Sequence, residues 1–225
     1  MYDKKIHDKA ILRLKSSNEM QLVLSTSYDN TVGVWDVMRD GSLSEHFRYY
    51  FEYTVDGIAL APKHNTVILA ERNKPYITYV DLATQTRKEV SINQHDWDLH
   101  VSFCITDIVL MGEEQYVVCL TDKSNVVVFP YESNEHVQNL YVSSMLSDSY
   151  YMGSLAVDAR EKRVILTCSD NTVRVFSLYS GKEVDVLNGH TKLVRNMFYL
   201  NDIKPLLFTC SYDHTIRVWT QYNIC

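Results

Sequence analysis

His190, Ser211 and Asp213 are the residue types from which hydrolases build a base, a nucleophile and an orienting acid. Nucleophilic catalysis needs an exposed Ser Oγ, a base beside it and an oxyanion hole. Here Ser211 and Asp213 flank one short turn, and the pattern recurs at Ser27 and Asp29, after His7. An active site is normally single, whereas a structural device repeats with the unit that carries it. The sequence contains no GxSxG elbow and no phosphate-binding glycine loop. The set is therefore expected to fasten the fold rather than to react, and no catalytic residue is assigned.

A second chemistry, glycoside hydrolysis, needs two carboxyl groups on either side of one cavity. Asp107 lies in a strand-like run, ITDIVL, and Asp56 and Asp158 lie near the ends of two others. The Asp56-Gly57 and Asp158-Ala159 pairs have the composition of turns. Metal chemistry has one candidate, His95, Asp96, Asp98 and His100 around Trp97, which is better read as a mixed polar loop. The five cysteines, at 104, 119, 168, 210 and 225, form no CxxC and no zinc-ligand spacing. No metal and no cofactor is expected.

The elements that must position these residues repeat along the chain. SYDNTVGVWD at 27–36, SDNTVRVFSL at 169–178 and SYDHTIRVWT at 211–220 are copies of one line, and ERNKPYITYVD at 71–81 and TDKSNVVVFP at 121–130 are weaker ones. The residue ending each alternating run is Trp35, Val80, Phe129, Phe176 or Trp219, in steps of 45, 49, 47 and 43 residues. A period in the forties with several short β runs is the signature of a propeller blade. In the fourth copy, strands are predicted at 154–157, 163–167, 172–177 and 182–187. RVILT is apolar throughout, as for a strand covered on both faces. KEVDVL alternates charge with Val, which suits an exposed rim. The fold class is predicted as all-β, a propeller of about five four-stranded antiparallel blades. One domain spans 1–225, with blades near 7–50, 54–91, 101–142, 153–188 and 189–225.

With these residues in view, the chain resembles the WD-repeat propellers over nearly its whole length. The last copy carries the resemblance best, through Gly189-His190, Ser211, Asp213 and Trp219. The resemblance implies a structural hydrogen-bond network of His190, Ser211, Asp213 and Trp219, and another of His7, Ser27, Asp29 and Trp35. It also implies that the ring closes with a strand from the other terminus, Met1–Ile6, giving five blades. The alternative is a portion of a seven-bladed ring. Five-bladed propellers also host glycoside hydrolases, which keeps that alternative in view.

The resemblance implies an interaction scaffold or adaptor, without enzymatic activity, that binds peptides or domains on the propeller face. A substrate-recognition subunit of a larger assembly, such as a ubiquitin ligase or RNA-processing complex, is the second reading. The tentative protein-binding residues are Tyr28 and Tyr212 at the turns, Lys192 and Arg195 after the Gly-His pair, and Trp97 in the 91–103 loop. Tyr and Arg are enriched among binding hot spots. The composition, 46% hydrophobic and 22% charged with a formal net charge of −6, excludes a disordered chain and makes nucleic acid an unexpected partner. No apolar run approaches the ~18 residues of a membrane span, and MYDKKIHDKA lacks the apolar core of a secretory signal. Cysteines in runs such as YVVCL suit a reducing compartment, so cytoplasm or nucleus is expected.

Overall fold

A computed structural model describes residues 5–74, 76–91, 104–122, 125–133, 138–141, 153–200 and 205–220. It is an all-β structure of the β-propeller class with five antiparallel blades. The chain divides into two compact units, Met1–Ile105 with Tyr131–Glu135, and Thr106–Pro130 with His136–Cys225.

The first unit holds two four-stranded blades. Blade 1 is β1 (Ile11–Ser17), β2 (Leu22–Ser27), β3 (Thr31–Val37) and β4 (Leu43–Tyr50), paired in that order. Blade 2 is β5 (Val55–Ala61), β6 (Thr66–Glu71), β7 (Tyr76–Asp81) and β8 (Arg87–Ser91). Val32 and Val34 of β3 join Val55, Ile58, Val67 and Leu69 of blade 2 in one apolar cluster. Burial on both faces is why the inner strands are almost continuously apolar, as in TVILAE of β6. On β8, by contrast, Arg87, Lys88 and Glu89 are exposed, and a charged rim resists pairing with another edge.

The second unit holds three blades. Blade 3 is β9 (Ile105–Met111), β10 (Tyr116–Thr121), β11 (Asn125–Pro130) and β12 (Gln138–Tyr141). Blade 4 is β13 (Leu155–Asp158), β14 (Arg163–Thr167), β15 (Val173–Ser177) and β16 (Glu183–Leu187). These strands fall within one residue of their predicted bounds. Blade 5 has three described strands, β17 (Val194–Leu200), β18 (Leu206–Ser211) and β19 (Ile216–Thr220). Residues 1–4 and 221–225, where a closing strand was sought, lie outside the described residues.

The turn between second and third strands needs a left-handed residue. Asn30, Asn171 and His214 fill it at φ 61°, 71° and 67°. Asn and His tolerate that region better than branched side chains do, which explains the recurring Asp-Asn and Asp-His pairs. In unit 2 consecutive blades are also stapled by a side chain. The buried Asp107 of β9 accepts hydrogen bonds from the Leu155 N–H at 2.8 Å and the Ser154 hydroxyl at 3.3 Å.

Candidate functional site

Blade 1 brings His7, Asp29 and Trp35 together, but the hydroxyl among them is not the expected one. Ser25, on β2, stands 2.8 Å from His7 Nε2 and accepts the Trp35 indole N–H at 2.8 Å. His7 Nδ1 lies 3.1 Å from Asp29 Oδ2 and 2.9 Å from the Thr31 hydroxyl. The carboxylate can only accept, so Nδ1 carries the proton, and Nε2 accepts from Ser25. The relay runs indole to hydroxyl to imidazole to carboxylate. Ser27 instead braces the turn, its Oγ donating to Lys9 O at 3.1 Å and accepting the Asp29 N–H at 3.2 Å.

Blade 5 repeats the arrangement. Thr209 lies 2.8 Å from His190 Nε2 and accepts the Trp219 indole N–H at 2.9 Å, while His190 Nδ1 lies 2.8 Å from Asp213. Ser211 again serves the turn, bonding Lys192 O and the Asp213 N–H. Ser25 and Thr209 stand in their second strands two residues beyond the partner of the Trp. A hydroxyl at that offset, two residues before the turn Ser, is the sequence signal that points to them.

In blades 2, 3 and 4 the same place holds Leu69, Cys119 and Leu166, and the anchor is Val80, Phe129 or Phe176. All three replacements are fully buried, so an apolar plug stands where the relay would be. Cys168 stands where the turn Ser is expected, and its thiol is pushed up to about 11 mainly by burial. Burial likewise raises the Cys119 thiol, helped by the Asp107 charge. Neither is a reactive thiolate.

The electrostatics match the geometry. Burial opposes ionisation of Asp29, but the Thr31 hydroxyl, the N–H groups of Asp8 and Thr31, and His7 outweigh it and hold the carboxyl far below its ordinary range. At Asp213 burial is again outweighed, by Thr215, His190 and the Thr191 and Thr215 N–H groups. Each Asp thus ties the turn before the third strand to the segment leading into the first.

Ser25, His7 and Asp29 have the donor order of a catalytic triad, yet the nucleophile position is closed. Ser25 is fully buried, and the indole N–H occupies an Oγ lone pair that a nucleophile would need free. The three candidate acids are also engaged. Asp56 lies within β5 at a bulge rather than in a turn, buried, with its carboxylate held by Arg72 at 2.7 and 2.8 Å. Asp107 is the inter-blade staple, and Asp158 caps the turn through the Arg160 and Glu161 N–H groups.

Of the proposed contact residues, Tyr28 and Tyr212 are exposed at their turns. The Tyr212 N–H bonds Leu193 O, which sets this tyrosine beside the exposed Lys192. Arg195 is half-buried at the β17 bulge. Trp97 lies outside the described residues, as do His95, Asp96, Asp98 and His100. Two neighbours of the first turn were missed by sequence reasoning. Ala10 O receives the Tyr28 N–H, placing Lys9 beside that turn. Arg48 of β4 lies 5.2 Å over the Trp35 ring and reaches Ile6 O at 2.9 Å. It helps line a cleft of about 360 Å³ with Lys5, Asp8, Asp29 and Tyr50.

The match to a known family lies in the segments that carry these two relays. The family model described as WD domain, G-beta repeat matches residues 4–36 and 181–220. A curated relative, GID complex subunit 7 of Schizosaccharomyces pombe, is 26% identical over 118 residues, 52% of this chain and 23% of that protein. Among solved structures, the computationally designed Ika8 protein superposes with a TM-score of 0.62 at 18% identity, over 96% of this chain and 59% of its own, a likeness of fold alone. The chain thus spans less than two thirds of either protein. Repeat sequence, blade architecture and the polar relay agree with the match to the WD-repeat model in those two segments.

Proposed function

We propose that this chain is a non-enzymatic interaction scaffold that binds peptides or domains at the turns joining second and third strands, as a subunit of a larger complex. The observation that carries the reading is a contrast at those turns. The relay hydroxyls Ser25 and Thr209 are sealed inside their blades, while Tyr28 and Tyr212 project from turns held by four or more hydrogen bonds, with Lys192 exposed beside the second. A rigid frame carrying exposed aromatic and basic side chains is the physical recipe for a protein contact. The likeness to a complex subunit supports the second part of the proposal. The formal charge of −6 favours protein over nucleic acid as the partner, and the free cysteines fit a cytoplasmic or nuclear setting.

The test is affinity purification of the parent chain and of a Tyr28→Ala/Tyr212→Ala variant, with co-eluting proteins identified. The variant loses at least one partner while its melting midpoint stays unchanged. Retention of every partner overturns the assignment of these turns.

A further inference from the structure

Asn188 is the only asparagine in the sequence that is followed by glycine. In that dipeptide the glycine amide nitrogen can reach the asparagine side-chain carbonyl, because no Cβ stands in its way. A folded protein permits the attack where the asparagine is exposed, the segment is free of regular structure and the glycine N–H is not already donated. All three conditions hold here. Asn188 is exposed between β16 and β17, and its amide makes one long hydrogen bond, 3.4 Å to Val186 O. Among the described residues the Gly189 N–H has no hydrogen-bond partner. A Cβ at Gly189 would lie 2.6 Å from Arg217 Nη1, so the guanidinium rests against this glycine, and it makes no ion pair among the described residues. Negative charge developing during the attack therefore forms beside a cation. Two dipeptides of related chemistry are closed by comparison. The Gly41 N–H of Asp40-Gly41 is donated to Met38 O at 2.9 Å, and the Asp56 carboxylate before Gly57 is buried and clamped by Arg72.

We infer that Asn188 is a modification site at which the folded chain deamidates itself, giving an isoaspartate that a protein carboxyl methyltransferase can recognise. The Gly189 nitrogen gives up its proton and bonds to the Asn188 side-chain carbonyl carbon, and the amide nitrogen leaves with that proton as ammonia. One water then opens the cyclic imide at either carbonyl, producing aspartate or isoaspartate. In sum, water enters, ammonia departs and one carboxylate is gained. In the isoaspartate product the main chain is longer by one carbon, two residues before the buried His190. That imidazole is held at 2.8 Å by Asp213 on one side and at 2.8 Å by Thr209 on the other, so a longer lead-in draws it out of line. The reaction is thus a clock set on the relay of blade 5.

Ageing the full chain at physiological temperature and mildly alkaline pH tests this, read by peptide mapping and by labelling with an isoaspartyl methyltransferase. The folded chain takes label at a rate comparable to that of the urea-unfolded chain, and the label maps to Asn188. Asn188→Gln, whose longer side chain closes an imide poorly, loses the label at this position. The aged parent melts earlier than the fresh one, while aged Asn188→Gln and fresh Asn188→Asp do not, since only isoaspartate lengthens the main chain. A folded chain that labels far more slowly than the unfolded one overturns the site, as does label that persists in Asn188→Gln. An aged, labelled parent that melts like the fresh one overturns the link to the relay.

Discussion

Blades 1 and 5 carry the same relay, yet Trp35 is sealed from solvent and Trp219 is only half-buried. In blade 1 the residue paired with Ser25 is Gly33, and a Cβ there would lie 2.5 Å from the Trp35 ring. The missing side chain lets the indole lie across the strand, and Arg48 from β4 covers it. In blade 5 the matching position is Arg217, and the described sheet ends at β19. Identical hydrogen bonds thus coexist with different burial. The relay fixes the turn, while the surrounding strands bury the aromatic ring.

The largest test of that separation is Trp35→Ala against Trp219→Ala. Removing a fully buried Trp costs about 3–5 kcal/mol, and the half-buried one costs clearly less in urea unfolding. Equal losses would break the comparison. Next comes Ser25→Ala, which strips His7 Nε2 and the indole N–H of one shared partner, about 1–3 kcal/mol. Thr209→Ala loses the same two bonds beside a wetter Trp, and water recovers part of the loss. Gly33→Ala forces the indole aside and costs about 1 kcal/mol or more, whereas Arg217→Ala on the exposed β19 stays within about 0.5 kcal/mol.

The smallest effect is read in pH. Asp29 and Asp213 ionise more easily folded than unfolded, so their contribution is complete above the unfolded carboxyl range, about pH 4. It declines as pH falls below that value and vanishes only in strong acid. An Asp29→Asn/Asp213→Asn variant has a flatter acid limb of stability. An unchanged acid limb would show that the two carboxylates do not carry the turns.

The difference between blades also shows what could be read from sequence. Asp29 and Asp213 were legible because a short Ser-x-Asp-x-Thr line fixes them locally, and His7 and His190 through the family resemblance. Ser25 and Thr209 were not, since their role depends on a neighbouring strand bringing the indole within reach. Ser27 and Ser211 took their place in the reading because the resemblance carries over the Ser of the turn. Blades 2 to 4 were legible only by period, as their buried positions hold Leu69, Cys119 and Leu166 in place of polar partners. Asp56-Gly57 resembled a turn, but its partner Arg72 arrives from beyond β6, a pairing no local pattern contains.

The bond from Asp107 to the Leu155 N–H bears on how such arrays can be edited. A buried carboxyl group that loses hydrogen-bond donors costs the fold stability. Inserting or deleting a repeat between the third and fourth blades would take the Leu155 and Ser154 donors from that buried side chain, however well the substitute matched in period. Those two modules are consequently best transplanted as a couple.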